Sequence, residues 1–134
     1  MKVLVDTCIW SLALRRKVEY QSVEIDVLTE LIQELRVEII GAVRQEILSG
    51  IKSINQFEQV KSHLVAFEDL PLTQHDYELA AEYFNLLRSK GIQGSNTDFL
   101  ICAVSINHNM PIFTLDKDFQ MFAEHIPIKL YKRQ

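Results

Sequence analysis

A chain of 134 residues, 48% of them hydrophobic and 24% charged, is long enough to bury a core and too apolar to be disordered throughout. Two cysteines and four scattered histidines argue against a disulfide scaffold and against a zinc site, which needs clustered ligands. The net charge of −4 is not the basic balance that usually marks a nucleic-acid binder.

Residues 2–5 form a short β-branched-rich run that closes on Asp6-Thr7, a buried strand. Residues 9–17 read as a short helix ending in the basic run Arg15-Arg16-Lys17. The apolar start is not a secretory signal, because Asp6 interrupts it and no small-residue cleavage site follows. From Ser22, the residues Val23, Val27, Leu28, Leu31, Ile32 and Leu35 make a helical stripe. Residues 37–40 are a second strand candidate, stopped by Gly41.

Residues 42–49 predict a helix with Val43 and Ile47 on one face and Gly50 as its stop. Residues 55–67 carry Phe57, Val60, Leu64 and Phe67 in helical register, and a short strand over 67–72 follows, with Pro71 at its end. Thr73 caps a helix that runs to Lys90 and stops at Gly91. Ser95 opens a helix apolar nearly all round from 99 to 104, so it should lie deep in the fold. Residues 111–115 are a strand ending at Asp116, 118–124 a helical turn or two, and 127–131 a last strand.

Strands alternating with helices give an α/β protein, a three-layer sandwich whose mainly parallel central sheet is flanked by helices. With four Gly, three Pro and no internal repeat, one domain over 1–134 is expected. The longest dense apolar segment, 99–106, is far shorter than the roughly 20 residues of a bilayer span. A cytoplasmic protein without membrane association is therefore expected. Cys8 and Cys102, outside any ligand cluster, read as small buried hydrophobes.

In an open parallel sheet, ligands gather beyond the carboxyl ends of the strands. Asp6 and Asp116 both stand at strand ends and so face the same rim. Asp98 lies in the first turn of the most apolar helix, where a charge needs a reason, and Glu46 sits at the border of an apolar helical stripe. Converging carboxylates repel unless cations neutralise them. Oxygen ligands without His or Cys suit Mg²⁺ or Mn²⁺, the ions used to hydrolyse phosphodiesters. Thr7 and Thr114, beside the acids, would orient carboxylates or water.

A capping reading covers the same residues. Ser95-Asn96-Thr97-Asp98 fits a capping box, Asp116 would cap the helix containing Phe119, and Asp6 or Thr7 the helix after the first strand. Spacing alone leaves an α/β domain with an acidic rim. Setting aside Asp6, Glu46, Asp98, Asp116 and Asp118 from the 18 acids leaves 13 against 14 Lys and Arg. The rest of the surface is then not repulsive to RNA.

Four segments resemble the motifs of PIN domains, in order and with similar spacing along essentially the whole chain. Val5-Asp6-Thr7-Cys8-Ile9-Trp10 is similar to the opening motif, an Asp followed by Thr or Ser at the end of the first strand. The stretch from Val43 to Gly50 resembles the second, built around a helical Glu. Asn96-Thr97-Asp98, leading into an apolar helix, resembles the third. Thr114-Leu115-Asp116-Lys117-Asp118-Phe119 is similar to the fourth. In length the chain resembles VapC-type toxins rather than larger PIN proteins.

The resemblance implies a Mg²⁺- or Mn²⁺-dependent endoribonuclease, the toxin of a toxin–antitoxin pair, with Asp6, Glu46, Asp98 and Asp116 as its acidic site. Asp6, Asp98 and Asp116 would hold metal, while Glu46 and Asp118 are further candidates, directly or through water. Asn96 would help to position Asp98. The implied partners are RNA, a cognate antitoxin and a second copy of the chain. Because some relatives lose acids, a catalytically silent PIN-fold interaction module is the alternative. Asp6 also fits an aspartyl-phosphatase nucleophile, but Cys8 stands where such enzymes want a second Asp. Among the basic residues, Arg15-Arg16-Lys17 is either a helix-end charge or an RNA contact, and Lys117 either faces phosphate or tempers the acids. Trp10 is either a groove wall or core.

Overall fold

The computed structural model describes residues 1–15 and 22–133. Its elements in chain order are β1 (Val3–Val5), α1 (Thr7–Leu14), α2 (Val23–Gln33), β2 (Val37–Glu38), α3 (Gly41–Leu48), α4 (Ile54–Leu64), α5 (Gln74–Ser89), α6 (Asn96–Asn107), β3 (Ile112–Phe113) and α7 (Asp118–Ala123). The three strands pair in parallel in the order β2-β1-β3. Val3 stands opposite Val37, and Val5 opposite Phe113. Helices cover the sheet, giving the expected α/β architecture.

β1 lies between two strands, which explains why all three of its residues are apolar and fully buried. A strand covered on both faces reads as a continuous apolar run rather than an alternating one. The expected strands at 67–72 and 127–131 shrink to one bridge each, Ile39 with Asp69 and Leu130 with Ile112, both parallel. Each flanks the sheet on its outer side, where a single bridging pair satisfies the neighbouring strand and nothing lies beyond to pair with. The strand expected over 111–115 retains only Ile112–Phe113.

α6 is buried continuously from Phe99 to Ser105, as its all-round apolar character requires. Its start is fixed by Gly94, where a Cβ would come within 2.9 Å of both the Phe99 and Phe122 rings. Those two rings pack on each other at 5.0 Å. Gly50 and Gly91 close α3 and α5 at φ of +85° and +78°, the left-handed conformation that glycine adopts without a steric penalty. Trp10 is core, 1% exposed, with its ring edge-on to Phe67 at 5.0 Å. Of the basic run after α1, Arg16 and Lys17 lie outside the described residues.

Candidate active site at the carboxyl rim

Because β1 and β3 are parallel neighbours in register, the residues that follow them emerge side by side. The Asp6 amide donates to the Phe113 carbonyl at 2.9 Å, and the next residue on β3's side is Thr114. Its hydroxyl donates to Asp6 Oδ2 at 2.7 Å. Asp6 is also the N-cap of α1, its Oδ1 accepting from the Thr7 amide at 2.7 Å. The cap starts the helix at Thr7, two residues earlier than the apolar pattern indicates.

α3 approaches the same rim. Thr7 Oγ1 donates to Glu46 Oε1 at 2.6 Å, so Glu46 reaches Asp6 through a single residue. α3 itself is held by Arg44, whose guanidinium pairs with Asp69 at 2.9 Å and donates to the Leu64 carbonyl at 3.1 Å and to that of Phe67. That clasp captures the end of α4, which stops at Leu64 rather than running to Phe67. Arg44 carries no motif signal beyond standing two residues before Glu46.

Asp98 occupies the third position of α6 in a reciprocal capping box. It accepts from the Ser95 amide at 3.1 Å, and its own amide donates to Ser95 Oγ at 3.0 Å. Ser95 thus holds Asp98, while Asn96 is exposed on the first turn of the helix. Asp116 follows Thr114 closely: its amide donates to Thr114 Oγ1 at 2.9 Å, and its Oδ1 accepts from the Asp118 amide at 2.9 Å. Asp118 and Lys117 are exposed at the start of α7. Capping and a place on the rim are not exclusive here, since Asp6 and Asp98 do both; the cap position of α7 is Lys117 rather than the expected Asp116, whose carboxylate instead accepts from the first amide of that helix.

Cys8 is not the buried hydrophobe expected of it. It is half-buried, with Sγ 3.6 Å from Asp6 Oδ2 and 3.5 Å from Thr114 Oγ1, and it accepts from the Leu115 amide at 3.3 Å. Its place in the second position of α1 turns the thiol toward the rim. That signal is visible only once Asp6 is known to be the cap.

The electrostatics agree with three acids sharing one region. Burial pushes the Asp6 carboxyl above its ordinary value, hydrogen bonds from Thr114, Thr7 and Cys8 pull it back, and the Asp116 charge adds to the rise. Burial likewise raises Asp98, opposed by its bonds to Ser95 and reinforced by the charges of Asp6 and Asp116. One turn further along α6, the Cys102 thiol is raised by burial and by the charges of Asp98 and Asp6. Among the described residues, no ion pair reaches Asp6, Glu46, Asp98 or Asp116.

Oxygen donors with charge unrelieved by any described Lys or Arg suit a hard divalent cation. Among the described residues, however, no three His, Cys, Asp or Glu side chains stand at metal-coordinating distance from one another. Asp98 and Asp116 each turn an oxygen onto a backbone amide instead. The donor chemistry fits such an ion, and Asp98 and Asp116 would have to release those amides or use their second oxygens to bind it.

A parallel sheet with acids from two helices and two strand ends along its carboxyl rim defines an α/β protein with a candidate oxygen-donor site. The chain belongs to the PIN domain family, which matches residues 3–124. Similar solved folds include VapBC2 from Rickettsia felis bound to a DNA fragment from their promoter, at TM-score 0.78 and 19% identity over 100% of both chains. FitAcB from Neisseria gonorrhoeae reaches TM-score 0.76 at 17% identity over 97% of this chain and 96% of that one. VapBC-5 from Mycobacterium tuberculosis, of the VapBC family of toxin-antitoxin systems, reaches 0.69 at 17% over 98% of each. No curated protein matches the sequence significantly.

Proposed function

We propose that the protein is a metal-dependent endoribonuclease, one PIN domain over residues 1–134, acting in the cytoplasm as the toxin of a toxin–antitoxin pair. One observation carries the reading: acids distant in sequence lie along one rim, Asp6 buried and bonded to Thr114, Asp116 joined to the same Thr114 through its amide, Glu46 tied in through Thr7, and Asp98 near enough to feel the charges of Asp6 and Asp116. Asp6, Asp98 and Asp116 would hold Mg²⁺ or Mn²⁺, with Glu46 and Asp118 contributing directly or through water. The chemistry such an ion supplies is activation of a water and neutralisation of charge on the phosphate.

This chain's own residues do the positioning. Thr114 and the Thr7 amide fix both oxygens of Asp6, leaving the carboxylate a single orientation. Thr7 aims Glu46, and Ser95 holds Asp98 at the mouth of α6. The toxin assignment draws support from neighbours of like fold, one a member of a toxin–antitoxin family and one a toxin–antitoxin complex, and an antitoxin partner is proposed from them; a homodimer is proposed only from the resemblance to the family.

The test is cleavage of RNA by purified protein. Asp6→Asn and Asp98→Asn should each abolish it while the fold survives, because Asn still caps a helix, and EDTA should stop the parent enzyme. Full activity of either variant, or in EDTA, would count against the metal-dependent mechanism, and absence of cleavage by the native protein would favour the silent interaction module.

A further inference from the structure

α1 buries Ile9 and Trp10 and, among the described residues, leaves a second face uncovered. Cys8, Ser11, Leu12 and Arg15 follow one another at i, i+3, i+4 and i+7, which places them on one stripe of the helix. Together with Leu115 they line a cleft of about 580 Å³. Leu115 lies between two rim residues, Thr114 and Asp116, and is 49% exposed. Thr114 turns inward to Asp6, so the next residue of an extended chain faces the other way.

The cleft has a direction. Its inner end is Cys8, whose sulfur lies 3.6 Å from Asp6 Oδ2. Its outer end is Arg15, about 10 Å further along the helix at the ordinary rise per residue. Apolar walls lie between, from Leu12 and Leu115, with the Ser11 hydroxyl beside them. This is a small-ligand volume running from an acidic centre to a cation, on the scale of one nucleotide and its next phosphate. An RNA strand is repelled by the acids themselves and needs a cation just outside them, which Arg15 supplies.

Building on the nuclease reading, we propose that this cleft is the subsite for the nucleotide adjoining the scissile phosphate. The base packs on Leu12 and Leu115, and Arg15 contacts the following phosphate. Leu115 then becomes a substrate-binding residue, and of the two readings of the basic run after α1, Arg15 takes that of an RNA contact.

The test measures binding of a short, fluorescently labelled single-stranded RNA to full-length protein carrying Asp98→Asn, so that the strand stays intact. Leu115→Ser and Arg15→Ala should each weaken binding about tenfold. Arg15→Ala should also make the dependence of log Kd on log salt shallower by about 0.7, one phosphate's worth on a single strand. Removing the base at the nucleotide beside the cleavage point should cancel the Leu115→Ser effect and keep that of Arg15→Ala. Leu115→Met, which preserves the apolar contact, should bind like the parent, an outcome that general misfolding would not give. Lys132→Ala, at the far end of the molecule, should also bind like the parent.

Unchanged RNA affinity in both cleft variants overturns the proposal while leaving RNA cleavage by the native protein intact. Unchanged RNA affinity with lost antitoxin binding assigns the cleft to the protein partner and overturns it equally. Failure of the Asp98→Asn protein to bind RNA, with no cleavage by the native protein, sinks the subsite and the nuclease reading together.

Discussion

Asp6 is at once a helix cap, an acceptor for the strand beside it and a charge held 5% exposed. Burial raises its carboxyl above the ordinary value, and Asp98 is raised for the same reason. A group whose folded pKa exceeds its unfolded value stabilises the fold below the unfolded pKa and loses that contribution as pH rises through the folded one. Ionised Asp6 therefore weakens the metal-free protein at neutral pH. In EDTA, Asp6→Asn should melt above the parent at neutrality, and the gap should close as pH falls into the carboxylate range. A gap independent of pH would contradict this. Thr114 joins three rim groups, donating to Asp6 and accepting from the Asp116 amide, with Cys8 alongside. Thr114→Val should lower cleavage by about 10–100-fold, the usual cost of losing a group that orients a ligand, and Thr114→Ser should restore most of it. Equal kcat/KM for Val and Thr would remove the hydroxyl from the argument. The motifs made the acids legible. The Ser95–Asp98 capping box was legible too, whereas the roles of Cys8 and Arg44 were not, because each depends on which groups folding brings near.

At the scale of elements, the helices were legible because their caps and stops are written locally: Ser22, Ser53, Thr73 and Ser95 precede α2, α4, α5 and α6, and Gly50 and Gly91 follow α3 and α5. The strands beside the sheet edges were less so. Residues 67–72 and 127–131 have strand-like composition, but how far they pair depends on a neighbour elsewhere in the chain. The junction between α2 and β2 departs from the local rules. Leu35 follows the helix at φ 58° and 79% exposed, with the Arg36 amide returning to the Leu31 carbonyl at 2.9 Å. This is the position where helices prefer glycine, and a leucine there is strained by roughly 1–2 kcal/mol. Leu35→Gly should raise stability in chemical denaturation by about 1 kcal/mol, partly offset by the freer unfolded chain. A lower denaturation midpoint would show that the side chain makes a contact worth more than the strain.

For the whole molecule, order along the chain and position in space differ in an informative way. The acids stand at 6, 46, 98 and 116, and because a parallel sheet returns each strand in the same direction, Asp6 and Asp116 emerge side by side with Thr114 between them. That fold class was legible from the alternation of strands and helices. The link of Glu46 to the residue beside Asp6 was not, since it runs through the Thr7 hydroxyl, with α3 held by the Arg44 clasp. With the rim's acids set aside, the remaining surface is close to neutral, so affinity for RNA should come from local contacts and fall only modestly with salt. If the protein is a toxin, induced expression should arrest growth and the Asp6→Asn form should not. Harmless accumulation of a cleavage-competent protein would end the toxin assignment alone.

The pairing of β1 with β3 has a temporal side. Asp6 precedes its Thr114 partner by 108 residues, so in synthesis the carboxylate is made long before the hydroxyl that holds it. A fragment that stops short of the final motif leaves Asp6 without that bond.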